Sequence, residues 1–294
     1  MLLLRFTLGS IVAAALHGTP PAAAAEKPIH ETKSRYNSIY VTENEAGLRI
    51  LRFEPGGDRQ SVVKLGDPDH LELPYARVIP IAITLVEKPE RVLIVGLGGG
   101  TIPSFLRKRM PQLMIDAVDI DPEVVAVAKS HFGFREDDKM RAYVEDGRHF
   151  IEQREALYDI IFLDAYASDN IPYSLATREF LIAVKRALKP RGVVIGNVWG
   201  NRANPLYDSM VRTYRAVYEE VAIVDVREAL NKIVIACPTK QDLTSEKLIR
   251  RARALTTELP LRVDLAELVR YGFRPVGTDG MSGRVLLDAD RPKR

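Results

Sequence analysis

From Arg91 onward, short unbroken apolar runs alternate with stretches of helical period. The runs are Val92–Val95, Leu113–Val118, Ala142–Glu145, Ile160–Leu163 and Val193–Asn197; between them lie Thr101–Arg109, Pro122–His131, Arg148–Glu155 and Ser174–Leu188. Continuous apolar strands separated by helices predict a parallel sheet covered on both faces. A sixth run, Val221–Val226, follows a helix over Pro205–Tyr218, and only Arg227–Asn231 separates it from a seventh, Lys232–Cys237. Parallel neighbours need a crossover of about a dozen residues, so these two must be antiparallel. The expected fold class is α/β: a Rossmann-like, seven-stranded, mostly parallel sheet with an antiparallel last strand.

Upstream the period is two. Ile39–Thr42, Gly47–Phe53 and Gln60–Val63, punctuated by Gly, Asn and Asp, predict a small antiparallel β-meander. Tyr75–Val86 has helical character, which Pro80 must kink or divide. Beyond Gln241 the pattern gives helices over Thr244–Leu255 and near Leu265–Tyr271, then a polar tail. The expected organisation is a leader over 1–25, a β-meander domain over 34–70, a Rossmann-like domain over 71–240 and a helical extension over 241–294.

The leader reads as a signal peptide, with an apolar segment Phe6–Leu16 and an Ala23-x-Ala25 cleavage site. Its apolar run is too short to span a bilayer, which takes about 20 residues, so no membrane association is expected after processing. Export to the periplasm or the exterior is the expected localisation, with a cytoplasmic enzyme as the alternative. The net charge of +3 comes from 42 basic and 39 acidic residues that are interspersed, which gives no nucleic-acid partner. Lys247–Arg253 reads as a solvated helix face. Cys237, alone in the sequence, ends an apolar run and reads as a small core hydrophobe. The five histidines show no ligand spacing, so no metal is expected.

Chemistry concentrates at the ends of the apolar runs. Val92-Leu-Ile-Val-Gly-Leu-Gly-Gly-Gly-Thr101 is a strand running into a glycine loop and a helix. Gly96, Gly98, Gly99 and Gly100 allow close backbone approach, and the helix start offers free N–H groups to a ligand. A dinucleotide fingerprint would want glycine where Thr101 stands, which disfavours a nicotinamide cofactor. Asp119, at the end of the second run, suits ribose hydroxyls, whereas Asp121-Pro122 reads as a helix cap. Asp146-Gly147, after the third run, is placed to meet an adenine amino group, and a capping role there is compatible. In open α/β sheets ligands lie beyond the carboxyl ends of the strands, so Asp164, ending the fourth run, is the first choice for a catalytic base. Tyr166 and Asp169 follow as substrate contacts, Asp169 equally as a turn former with Asn170. Asp159 begins its strand at the opposite edge and reads as structural.

Ser34-x-Tyr36, Gln60-Ser61 after a meander, Tyr75, the glycine loop, Val118-Asp-Ile-Asp121, Asp146-Gly147 and Tyr158-Asp-Ile-Ile-x-x-Asp164 together resemble the spermidine synthase (polyamine aminopropyltransferase) family, over about residues 34–237. That family has a class I methyltransferase-type fold. The resemblance implies that Gln60, Asp119 and Asp146 hold the nucleoside of decarboxylated S-adenosylmethionine, with Tyr75 and Asp164 at an attacking small-molecule amine. A homodimer through the N-terminal β region is expected. There are departures: Gly99 stands where the family carries an aspartate, Ala76-Arg77 where it carries His/Gln and Glu, and the Asp164–Pro172 run is longer than the family's Asp-x-x-Asp-Pro. Arg77 either brings positive charge to Tyr75 or points to solvent, and Glu72 could restore a missing acid. An acceptor with a single amine and a neutral or anionic far end is therefore expected over a diamine. Methyl transfer from S-adenosylmethionine and an exported, catalytically degenerate nucleoside- or polyamine-binding protein are the alternative functions.

Overall fold

The computed structural model describes residues 26–166, 171–277 and 282–292; the expected leader lies outside them. Four strands, β1 (Glu26–Lys33), β2 (Ser38–Asn44), β3 (Leu48–Arg52) and β4 (Ser61–Lys64), form an antiparallel sheet in chain order. β1 was not anticipated. Its sequence is mostly polar, and it is an edge strand whose register shifts between Pro28 and His30, a position that tolerates proline. Pro80 does divide the next segment, into α1 (Pro74–Val78) and α2 (Ile81–Leu85).

The larger sheet follows as β5 (Arg91–Val95), α3 (Thr101–Arg109), β6 (Met114–Asp119), α4 (Pro122–His131), β7 (Met140–Val144), α5 (Gly147–Glu152) and β8 (Tyr158–Leu163). It continues with α6 (Arg178–Ala187), β9 (Leu188–Trp199), α7 (Tyr207–Val217), β10 (Glu220–Asp225) and β11 (Asn231–Cys237). Last come α8 (Ser245–Glu258), α9 (Leu265–Gly272) and β12 (Phe273–Pro275). The strand order is β12-β10-β11-β9-β8-β5-β6-β7. β7, β6, β5, β8 and β9 are mutually parallel, while β11 runs antiparallel to both β9 and β10. The expected sheet is thus present with an eighth strand, β12, three residues paired to Ala222–Val224 and too short to register as a pattern.

Period two in the buried strands decides the layering. Val92 and Ile94 point into one core with residues of α1 to α4, α8 and α9, whereas Leu93 and Val95 point into the other with residues of α5, α6 and α7. On α8, Leu248, Ala252 and Leu255 are buried, Arg250 and Arg253 are exposed, and Lys247 and Arg251 are half-buried, so the basic stretch is solvated only in part. Cys237 is fully buried. Asp159 is structural: its Oδ2 accepts from the Glu90 and Arg91 N–H groups at 2.9 Å and from Lys189 Nζ at 3.0 Å, tying β5 to β8 at the edge away from the site.

The smaller sheet docks on α4, with Ile39, Val41, Leu51 and Val63 packing on Val124, Val127 and Phe132. Asp121 locks this junction. Fully buried, it caps α4 through the Glu123 N–H, and its Oδ2 accepts from Ser34 Oγ at 2.6 Å and Asn37 Nδ2 at 3.1 Å. The large sheet's order reverses between β5 and β8, so their carboxyl ends diverge and leave a crevice there.

Candidate active site

A cleft of about 1060 Å³ opens at that switch point, floored by the carboxyl ends of the parallel strands and walled by the small sheet and α1. Gly96 ends β5 with φ +97°, and a Cβ there would fall 2.3 Å from the Asp164 carbonyl oxygen. Only glycine lets the β5 and β8 ends approach this closely. Gly98 also lines the cleft. Gly99 and Gly100 are not among the lining residues: a Cβ on Gly99 would lie 2.7 Å from Phe132 and 2.9 Å from Ser61 Oγ, and one on Gly100 2.7 Å from Phe134.

Asp119 reaches the cleft from the end of β6, its Oδ2 accepting from the Leu97 N–H at 2.9 Å and its Oδ1 from the Asp121 N–H at 3.0 Å. Burial raises its pKa against those backbone bonds. Each oxygen keeps a lone pair for a hydroxyl of a ligand. Asp146 caps α5 through Oδ1, accepting from Arg148 and His149 N–H groups at 2.8 and 3.1 Å, and also lines the cleft. Capping and ligand contact are thus compatible there. Gly147 packs against Val95, where a Cβ would come within 2.5 Å of Cγ1. Gln60 lines the cleft from the start of β4, across from the glycine loop.

Asp164 sits on the other side of the switch point. Its Oδ2 accepts from Tyr75 Oη at 3.2 Å and its Oδ1 from Asn197 Nδ2 at 2.8 Å. Desolvation pushes its carboxyl up to about 7, although both hydrogen bonds pull the other way. Burial and the adjacent carboxylate hold the Tyr75 phenol well above its ordinary value, which keeps it a donor. Tyr166 donates to the Asn197 carbonyl at 3.0 Å and packs its ring on Trp199, with centroids 5.3 Å apart. Asp169 lies outside the described residues.

Sequence reasoning missed Asn197, Trp199 and Asn231. Asn231 Nδ2 donates to Asn197 Oδ1 at 2.9 Å and thereby fixes which end of the Asn197 amide faces Asp164. A polar residue ending the apolar run of β9 was a usable signal for Asn197. Asn231 enters from an antiparallel strand 34 positions away, and nothing local marks it. Arg77 points outward: it donates to the Leu71 and Glu72 carbonyls at 2.7 and 2.9 Å and does not line the cleft. Glu72 is likewise absent from the lining and faces His70, Arg59 and Arg77 at 3.0, 3.7 and 3.9 Å.

This geometry can grip a diol-bearing nucleoside with Asp119 and Asp146 and bring a weakly acidic carboxyl to a second molecule. Comparison with known proteins agrees in kind. The spermine/spermidine synthase domain matches residues 75–244. The polyamine aminopropyltransferase of Vibrio vulnificus (strain CMCP6) is 34% identical over 245 residues, covering 81% of each chain. The eEF1A lysine and N-terminal methyltransferase of Bos taurus is 34% identical over 188 residues, 60% of this chain. The chain spans about a quarter of that relative's length, 27%. The solved spermidine synthase of Thermotoga maritima superposes with a TM-score of 0.66 over 84% of both chains at 19% identity, a likeness of fold. Human methyltransferase-like protein 13, solved in complex with SAH, superposes with a TM-score of 0.52 at 29% identity, over 70% of this chain and 92% of that one.

Proposed function

The chain belongs to the spermine/spermidine synthase family, and from that premise we propose that it is an aminopropyltransferase taking its group from decarboxylated S-adenosylmethionine. The amine nitrogen attacks the carbon bonded to the sulfonium. The C–N bond forms as the C–S bond breaks, the electron pair returns to sulfur, and methylthioadenosine leaves. The nitrogen's proton passes to Asp164.

The observation that carries this reading is the setting of Asp164 between Tyr75 and Asn197, next to the nucleoside half of the cleft. An alkyl amine titrates at about 10 and a free aspartate at about 3.9, a gap of about 6 units. A carboxyl near 7 halves that gap while staying about half ionised at neutral pH. Tyr75 holds one carboxylate oxygen and Asn197 the other, so the base is oriented before substrate arrives. Asp119 and Asp146 take the ribose and adenine, and this positioning supplies part of the acceleration.

Methyl transfer from S-adenosylmethionine is the second reading. It is favoured by the likeness to human methyltransferase-like protein 13, which is 29% identical and was solved in complex with SAH. Calorimetric titration with S-adenosylmethionine, its decarboxylated form and methylthioadenosine separates the two. Tight binding of the decarboxylated donor and methylthioadenosine is expected; binding of the intact donor alone would replace aminopropyl by methyl transfer.

A further inference from the structure

The cleft is chemically lopsided. The ends of β5, β6 and β7 give its nucleoside half Asp119 and Asp146. The other half is built from the ends of β8 and β9 and the start of β11, with Tyr166, Asn197, Trp199, Ala203, Leu230 and Asn231 on its wall. Among the described residues, Asp164 is the one carboxylate there.

Most polar groups of this half are already engaged with each other. Tyr75 Oη and Asn197 Nδ2 donate to Asp164, Tyr166 Oη donates to the Asn197 carbonyl, and Asn231 Nδ2 donates to Asn197 Oδ1. What they leave is the Trp199–Tyr166 aromatic pair and the side chain of Leu230, which is 53% exposed although large and apolar. An exposed leucine on a cavity wall marks surface that a ligand's apolar part can cover. Glu72, three residues before Tyr75, is engaged by Arg59, His70 and Arg77 and does not line the cleft, and Asp58 lines it from the β3–β4 loop rather than from this half. A diamine is dicationic at neutral pH, and among the described residues this half holds no second carboxylate for its second ammonium.

We propose that the acceptor is a primary monoamine on an apolar, aromatic body, seated against Trp199, Tyr166 and Leu230 with its nitrogen at Asp164. This rests on the amine-transfer reading above and names its substrate class. Flat aromatic bodies gain from offset or edge contact with Trp199 and Tyr166 in addition to the area they bury.

The test measures binding, so it does not depend on turnover. 2-Phenylethylamine, putrescine and 4-aminobutyrate are titrated calorimetrically into the full chain saturated with methylthioadenosine, or into the free protein should that nucleoside not bind. 2-Phenylethylamine should bind at least about tenfold more tightly than either of the others. Trp199→Ala should weaken it by about tenfold while leaving the methylthioadenosine Kd within about twofold. Leu230→Asp, at an exposed position on the cleft wall, should raise putrescine affinity by adding a carboxylate to this half. Putrescine or 4-aminobutyrate binding as tightly as 2-phenylethylamine, or no amine binding at all, would overturn the proposal. The expected order without turnover on either donor would overturn the transfer reading and leave the acceptor site standing.

Discussion

The two halves of the cleft hold their carboxylates in opposite ways. Asp119 and Asp146 are braced by main-chain N–H groups of the Leu97, Asp121, Arg148 and His149 positions, so each is part of a loop or helix start as well as of the cleft wall. Asp164 is braced by two side chains, Tyr75 and Asn197, delivered from distant segments. Main-chain bracing fixes an acceptor of hydrogen bonds wherever the fold forms. Side-chain bracing in a desolvated spot makes a group whose protonation responds to its neighbours, which is what proton transfer needs and what static recognition does not.

The largest effect that would break this contrast is at Asp164. Asp164→Asn should lower turnover by about 100-fold or more, the range for loss of a general base, while nucleoside binding persists. The same substitution should stabilise the protein at alkaline pH. A carboxyl raised to about 7 in the fold carries no penalty below its unfolded value, about 3.9, and the full penalty above about 7. The melting temperature of the variant should therefore pull ahead of the parent between pH 4 and 7 and stay ahead, a gain of about 1–3 kcal/mol. Parallel melting curves across that range would show that Asp164 is not desolvated.

Asp119→Ala comes next. It should weaken adenosyl-ligand binding by about 1.5–3 kcal/mol, the worth of hydrogen bonds to a charged acceptor. Unchanged affinity in titration would remove Asp119 from the nucleoside half.

Smaller and more discriminating is Asn197→Ala. The Asn197 hydrogen bond lowers the Asp164 pKa, so losing it should move the acidic inflection of kcat/KM upward by about one pH unit. A residue with only a packing role would lower activity without moving the inflection. The smallest effect is expected at Gly99→Asp. Its Cβ would meet Phe132 at 2.7 Å and Ser61 Oγ at 2.9 Å, so the new side chain has no room unless one of them shifts, and putrescine turnover should not improve. A marked improvement in initial rate would show that the loop rearranges to present it.

The contrast also separates what sequence could and could not reveal. The nucleoside half is local: Gly96, Asp119 and Asp146 each end an apolar run, and the capping pattern of Asp121-Pro122 reads directly. The other half is assembled by topology. Asp164 and Tyr75 were accessible, the one from its strand end and the other from the family resemblance, but their pairing at 3.2 Å spans 89 positions. Asn231 reaches the site because β11 enters between β9 and β10 in reverse, and a hydrophobic pattern carries no such order. The polar β1 and the three-residue β12 escaped because edge strands need no apolar period.

The Asp121 junction makes the two sheets one thermodynamic unit. Asp119 accepts the Asp121 N–H, and Asp121 in turn holds Ser34 and Asn37 at the turn between β1 and β2. Whatever occupies the site and holds Asp119 also reduces local opening of that turn, whose residues Arg35, Tyr36 and Asn37 line the cleft as well. Amide hydrogen exchange at Tyr36 and Asn37, whose N–H groups are held by Ser34 Oγ at 3.0 and 2.9 Å, should slow when an adenosyl ligand binds. In Asp121→Ala that slowing should shrink even where the ligand still binds, because the tie through Asp121 Oδ2 to Ser34 and Asn37 is gone.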